Sequence, residues 1–220
     1  MELTSHNEHF INGTWYDNEY KSGWYKNQYI DTPEPSWAIE SKQWCVDFLK
    51  GVMQVYPPKC RLLDIGAGVG QFMATFEAMD FECYGIEISQ EAVDIGRNIN
   101  QQDRLIQGTI ADLPYANNMF DVAFSSSVLE HIDESILPDA MREMFRVSTM
   151  QAHYIGLDHG SDPSHINIKT VDEWLRVFNA YMPDDYICAA ISNPLEAESP
   201  LFITMPAARM HHRLKETLIS

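Results

Sequence analysis

Residues 62–70 read LLDIGAGVG. A short apolar run ends in an acid, Asp64, and three glycines then alternate with small residues. Gly66 and Gly68 let the backbone turn sharply and approach a ligand closely, and Gly70 removes a side chain where the following helix begins. The dinucleotide-binding fingerprint is G-x-G-x-x-G, and Gln71 stands where it wants its third glycine. The spacing here is G-x-G-x-G. By itself this is weak evidence, because the plainer reading is a bare strand-to-helix turn of the kind many folds use. The surrounding sequence has to decide.

Working outward, strands and helices alternate. Arg61–Ile65 reads as a strand and Gln71–Met79 as a helix. Phe81–Ile88 is a strand, and Ser89 can cap a helix running to about Asn100. Leu105–Ile110 is a third strand and Phe120–Ser125 a fourth. A helix over 138–147 and a strand at Ala152–Leu157 follow. Thr170-Val-Asp-Glu is a capping box that opens another helix. Tyr186–Ile191 and Leu201–Met205 flank Asn193-Pro194 as the strands of a closing hairpin. Alternation of this kind calls for an α/β fold, a Rossmann-like, doubly wound, mostly parallel seven-stranded sheet covered on both faces, with a terminal antiparallel strand.

Upstream of Pro57-Pro58 the composition changes. Trp15, Tyr16, Tyr20, Trp24, Tyr25, Tyr29, Trp37 and Trp44 crowd the first part of the chain. From about Ser36 to Tyr56 the apolar spacing turns helical, with Trp44, Phe48 and Val52 on one row and Cys45, Leu49 and Met53 beside it. The expected organisation is an N-terminal aromatic-rich cap and helix over 1–58, a ligand-binding domain over 59–206 and a C-terminal tail over 207–220.

Glu87 ends the second strand, 23 residues after Asp64. An acid there can accept hydrogen bonds from both hydroxyls of a ribose. The third strand leads into QGTIADLPYANNMFDVAFSSSVLEHI, residues 107–132. With LLDIGAGVG, the acid of YGIEIS, GTIADLP and FDVAFSSSVLEHI at these separations, the chain resembles the class I S-adenosylmethionine-dependent methyltransferases from about Arg61 to Ile132. The resemblance implies S-adenosylmethionine as cofactor. It assigns Asp64 and the loop Gly66, Ala67, Gly68 and Gly70 to the methionine end, Glu87 to the ribose and Ile88 to the adenine. Many members carry Gly-Asp-Ala before Leu-Pro, where this chain has Gly108, Thr109 and Ile110. Asp112 is out of register, so the adenine edge is expected on Thr109 and the backbone of Ile110. The backbone of Ser125 is expected to face the methionine amino group.

The sulfonium methyl is reactive by itself, and the protein has to aim an acceptor and help it lose a proton. That chemistry needs no metal. Metal-dependent relatives place acids after the fourth strand, whereas Ser125-Ser126-Ser127 stands here. The loops of base amino-methylating and base C5-methylating relatives are also absent. Candidate bases lie after strands four and five: Glu130 and His131, then Asp158, His159, Asp162 and His165. Histidine suits neutral pH, so His131 and His165 are the first candidates, with Asp158 to orient either ring. The plainer alternative is that each caps a helix or sits in a polar loop. A metal site built from His159, His165, Asp158 and Asp162 is set aside for want of helical HxxxH spacing.

Composition narrows the partners. Fifteen basic and 32 acidic residues give a net charge of −17, a field that repels polyanions, so no nucleic-acid partner is expected. RMHHRLK at 209–215 is too short to reverse this. No apolar run nears the ~20 residues of a membrane span, and no membrane partner is expected. The N-terminus lacks the basic and apolar regions of a secretory signal. Cys45, Cys60, Cys83 and Cys188 form no close pair and read as reduced thiols of a cytoplasmic protein. The expectation is a metal-independent methyltransferase for a small-molecule or glycan-type acceptor, oxygen ahead of nitrogen. Most of the N-terminal aromatics are expected to pack against the sheet edge and cover the cofactor, with one or two of Tyr16, Tyr25 and Trp24 touching cofactor or acceptor as a lid. The alternative is a non-catalytic cofactor- or partner-binding protein on the same fold.

Overall fold

The computed structural model describes residues 12–29, 42–53, 59–99, 101–157, 162, 164–192 and 199–209. Among these residues three helices precede the sheet: α1 (Thr14–Ser22), α2 (Trp24–Tyr29) and α3 (Gln43–Met53). The alternating part runs β1 (Arg61–Ile65), α4 (Gln71–Glu77), β2 (Glu82–Glu87), α5 (Gln90–Ile99), β3 (Leu105–Gln107), β4 (Val122–Ser126), α6 (Leu137–Val147), β5 (Gln151–Tyr154), α7 (Val171–Tyr181), β6 (Tyr186–Ile191) and β7 (Leu201–Pro206).

The seven strands lie in the order β3-β2-β1-β4-β5-β7-β6. Strands β1 to β5 pair in parallel. Strand β7 runs antiparallel to both β5 and β6, so among the described strands it alone is reversed. The order reverses between β1 and β4, where Asp64 pairs with Phe124 and Ile65 with Ser125. Ligands of open α/β sheets bind at the carboxyl ends of the strands beside that point.

Both faces of the sheet are covered, which is why its strands read as near-continuous apolar runs. Leu62, Val122, Phe124 and Ala152 face Cys45, Val46 and Leu49 of α3 and Met73 and Phe76 of α4. Leu63, Ile65, Ala123 and Phe202 face Met141 and Met144 of α6 and Trp174 and Phe178 of α7. Thr170 caps α7 in a full capping box with Glu173, and Ser89 caps α5 through Ala92 N–H, both as the sequence predicts.

Some strand ends differ from the expectation. The third strand stops at Gln107 rather than Ile110, because the chain turns there and Thr109 bridges Asp112. The fourth begins at Val122, since Phe120 bridges Ser148 instead of joining the ladder. The fifth ends at Tyr154 rather than Leu157: Gly156 N–H leaves the sheet for the carboxylate of Glu130. The helix expected over 36–56 is seen over Gln43–Met53, and its outer parts lie outside the described residues. The first aromatic residues form helices α1 and α2. Asp17 of α1 fastens them to the sheet domain by accepting from Ser89 Oγ at 2.7 Å and Glu91 N–H at 3.2 Å. Beyond one turn at Ala207–Arg209, the tail lies outside the described residues, as do Asp158, His159 and Asn193-Pro194. Cys45, Cys60 and Cys83 are buried free thiols, and Cys188 is a free thiol at intermediate exposure.

Candidate active site

The turn after β1 owes its shape to glycine. Gly66 (φ 68°) and Gly68 (φ 56°) are left-handed, a region that side chains disfavour. A Cβ at Gly66 would lie 2.4 Å from Val128 Cγ2, and one at Gly68 would lie 2.8 Å from the Tyr20 hydroxyl. The loop is therefore a bare backbone cradle, closed on one side by the segment after β4 and on another by α1. Asp64 is buried at its base, and among the described residues Oδ2 has no hydrogen-bond partner. Burial, with the Glu87 charge nearby, pushes the Asp64 carboxyl well above the usual carboxylate range.

Glu87 ends β2 and spans the neighbouring turns. Oε2 accepts from Gly68 N–H at 2.9 Å and Oε1 from Ser89 N–H at 2.9 Å. Burial raises its pKa and those two amides oppose the shift. The Ile88 N–H also supports the charged form, so three backbone amides engage a carboxylate with about four lone-pair sites. Ile88 follows, and its carbonyl accepts from Gln107 Nε2 at 3.3 Å. Thr109 Oγ1 accepts from Ala111 N–H at 3.3 Å, and Ile110 is buried with the α6 and α7 face of the core. Asp112 is exposed. Asp64, the glycine turn, Glu87 and Ser125 thus share the carboxyl ends of adjacent strands, with Thr109 and Ile110 just beyond β3.

At the end of β4 the three serines part. Ser125 Oγ pairs with His153 Nδ1 at 2.8 Å within the core, leaving its backbone at the strand end. Ser126 Oγ is buried without a partner among the described residues. Ser127 is left-handed (φ 54°), and its N–H donates to Tyr154 O at 2.9 Å. Its hydroxyl accepts from Nζ of Lys42 at 2.8 Å.

The sequence VLEHI continues into a 3-10 turn at Leu129–His131. Glu130 is fully buried; Oε1 accepts from Gly156 N–H at 2.8 Å, and Oε2 has no partner among the described residues. His131 Nδ1 lies 3.1 Å from Ser164 O and 2.8 Å from Ser164 Oγ. A carbonyl only accepts, so Nδ1 carries the proton and Nε2 is the bare nitrogen. Ser164 Oγ in turn donates to Asp162 Oδ1 at 2.5 Å. Burial lowers the pKa of His131. His165 packs edge-on against His131, with ring centroids 4.7 Å apart. Tyr16 of α1 stands edge-on to His131 at 6.2 Å and hydrogen-bonds Ser164; burial raises its phenol pKa, with Glu87 adding to the shift. Glu130, His131 and His165 each bring one ligand atom within 4.8 Å of the others, a spacing that admits a metal ion.

Of the three expected catalytic residues, His131 and His165 pack together beyond β4, and Asp158 lies outside the described residues. Tyr16 meets them; Tyr25 packs behind it at 6.3 Å. Lys42 and Ser164 carry no sequence signal: a lone lysine before a helix and a serine in a polar run gain meaning only from what folding brings against them.

The sheet order, with its single reversed strand, the glycine turn and the acid ending β2 define a Rossmann-like nucleoside-binding domain of the methyltransferase type. This is the architecture of the class I S-adenosylmethionine-dependent methyltransferases, to which the central part of the chain is similar. Residues 63–155 match the family described as methyltransferase domain, and the family's cofactor is S-adenosylmethionine. An uncharacterized methyltransferase, YcgJ of Bacillus subtilis (strain 168), is 28% identical over 142 residues, covering 54% of this chain and 55% of that protein. The ajmaline N-methyltransferase of Rauvolfia serpentina is 30% identical over 122 residues, covering 51% of this chain and 41% of that protein. The chain thus spans about half the length of the curated relatives it matches. The crystal structure of the PH0226 protein from Pyrococcus horikoshii OT3 shares the fold, with a TM-score of 0.66, 16% identity and coverage of 86% of this chain and 98% of that one. The residues present fit the cofactor: Asp64 Oδ2 is an orphaned buried acceptor suited to an ammonium, and the cradle at Gly66 and Gly68 would be filled by any Cβ.

Proposed function

We propose that the protein transfers the methyl group of S-adenosylmethionine to a small-molecule or glycan-type acceptor, at oxygen ahead of nitrogen and without a metal. Asp64, the Gly66–Gly70 loop and the backbone of Ser125 hold the methionine end. Glu87 binds the ribose through its carboxylate, and Ile88, Thr109 and the backbone of Ile110 bound the adenine. When bound, the cofactor supplies an electrophilic methyl on sulfur.

The observation that carries the acceptor half is His131. Its Nδ1 proton is committed to Ser164, and burial lowers its pKa, so Nε2 is unprotonated near neutral pH. A hydroxyl acceptor must lose a proton as it is methylated, and a bare imidazole nitrogen takes it. A neutral amine has less need of such a base, which favours oxygen. Ser164 and Asp162 hold the ring. Helix α1, through Tyr16, shields the mouth from water, and His165 borders it. Asp158 keeps its place in the proposal as a second orienting acid.

The test is a labelled methyl-donor assay on a panel of hydroxyl- and amine-bearing small molecules, with S-adenosylhomocysteine release measured in parallel. Transfer to a hydroxyl supports the reading. Tight cofactor binding with no transfer to any acceptor would favour a non-catalytic binding protein.

A further inference from the structure

We infer that Lys42 is the anchor of a carboxylate-binding subsite at the mouth between β4 and β5, which receives the carboxylate of a small ligand. The inference rests on the reading of this cleft as the methyl-transfer site.

Lys42 immediately precedes α3 and is only 8% exposed. Its ammonium donates one hydrogen bond among the described residues, to Ser127 Oγ, and lies 4.8 Å from the centroid of the Tyr154 ring. An ammonium has three N–H donors, so a hydroxyl and an aromatic face leave it short of acceptors. Among the described residues no carboxylate stands within ion-pair distance of it, in a chain with 32 acids. Burying a charge without a paired anion is costly, and an apolar side chain of similar length would stabilise the fold better. Burial accordingly lowers the lysine's pKa, with Glu130 opposing the shift.

The surroundings point the same way. Ser127 holds a left-handed backbone that a non-glycine residue disfavours, and such strain concentrates at ligand sites. It directs the serine hydroxyl to Lys42. At neighbouring strand ends, Asp64 Oδ2 and Glu130 Oε2 are buried acceptors without donors among the described residues. A buried cation short of an anion, near buried acid oxygens short of donors, matches a ligand carrying a carboxylate together with an amine or hydroxyl. The amino-acid end of the cofactor has that chemistry, and so does an acceptor bearing a carboxylate.

Calorimetry on the full chain separates the two sources. S-adenosylhomocysteine carries the amino-acid end; 5′-methylthioadenosine carries the same nucleoside without it. Acetate and benzoate, each against its amide, probe the subsite directly, with and without S-adenosylhomocysteine. If the carboxylate is the cofactor's, Lys42→Met weakens S-adenosylhomocysteine at least about tenfold and leaves 5′-methylthioadenosine unchanged. If it is the acceptor's, the variant binds both nucleosides as wild type does but loses a preference for carboxylate over amide. Lys42→Arg should retain either property, and Lys42→Gln replaces Lys42→Met should that variant not fold. The inference is overturned if Lys42→Met binds S-adenosylhomocysteine normally and the wild type shows no preference for carboxylates. Failure of the wild type to bind either nucleoside would instead overturn the methyl-transfer reading, with acetate and benzoate still deciding the subsite.

Discussion

The Ser164 hydroxyl lies 2.8 Å from Nδ1 of His131, a residue 33 positions earlier in the chain. The same hydroxyl reaches Asp162 Oδ1 at 2.5 Å, so ring, hydroxyl and carboxylate form one chain of hydrogen bonds. It fixes the histidine tautomer and leaves Nε2 as the nitrogen without a proton.

From this geometry, His131→Ala should cut turnover about 100-fold or more while cofactor affinity holds, since general-base work is usually worth ~10²–10⁴. In the wild type the acid limb of the rate profile should fall below the ordinary histidine value of 6.5, because burial disfavours the charged ring. Asp162 opposes that shift, so Asp162→Asn should move the limb to still lower pH. Pre-steady-state rates across pH 4–8 would show this, and a limb that stays fixed in His131→Ala would assign the base elsewhere.

Glu87 has a structural duty beside its proposed ribose contact. Glu87→Ala should weaken S-adenosylmethionine by about 1.5–3 kcal/mol, the scale of hydrogen bonds to a charged group. It should also lower thermal stability, because the amides of Gly68 and Ser89 lose their acceptors. Unchanged affinity in the folded variant would remove Glu87 from the ribose site. Nicotinamide dinucleotides should bind poorly, as Gln71 stands where the third glycine would be.

On the adenine side, Thr109→Ala should cost under about 1 kcal/mol of cofactor affinity. The threonine hydroxyl already serves Ala111 N–H, and the contact is expected from backbone. Asp112→Asn should change almost nothing. Calorimetric titration of both variants decides the register, and a large loss for Asp112→Asn would shift it.

Chelation should leave turnover intact if the histidines act as proton acceptors. Dialysis against EDTA, followed by metal analysis and assay, makes the comparison. Lost turnover restored by a divalent cation would reassign Glu130, His131 and His165, whose ligand atoms lie within 4.8 Å of one another.

Acid stability should depend on His153. Burial holds its folded-state pKa down to about 3, against 6.5 ordinarily. Between those values the unfolded chain binds a proton that the folded chain refuses, so stability falls as pH drops through the window. His153→Gln, which stays neutral, should flatten that part of a denaturation series; an unchanged slope would mean other groups dominate.

What the sequence determined by itself follows from local and periodic physics. Apolar runs buried on both faces, caps such as Thr170 and Ser89, and glycines where only a bare backbone turns are properties of neighbours in the chain. They sufficed for the α/β order, for the turn after Asp64 and for the acid ending β2. The end of β3 was not legible, because the bridge of Thr109 to Asp112 competes with the ladder and nothing in the local pattern ranks the two. Nor was the placing of α1, which is held through Asp17 by hydrogen bonds to residues 72 and 74 positions away. The acceptor half depended on tertiary structure almost entirely. His131 stood out by its motif, but its tautomer depends on Ser164. Lys42 differs from any other lysine only because folding buries it against Ser127 and Tyr154, 85 and 112 positions along the chain. Burial and long-range hydrogen bonds set protonation and charge, and neither is encoded at the position that bears it.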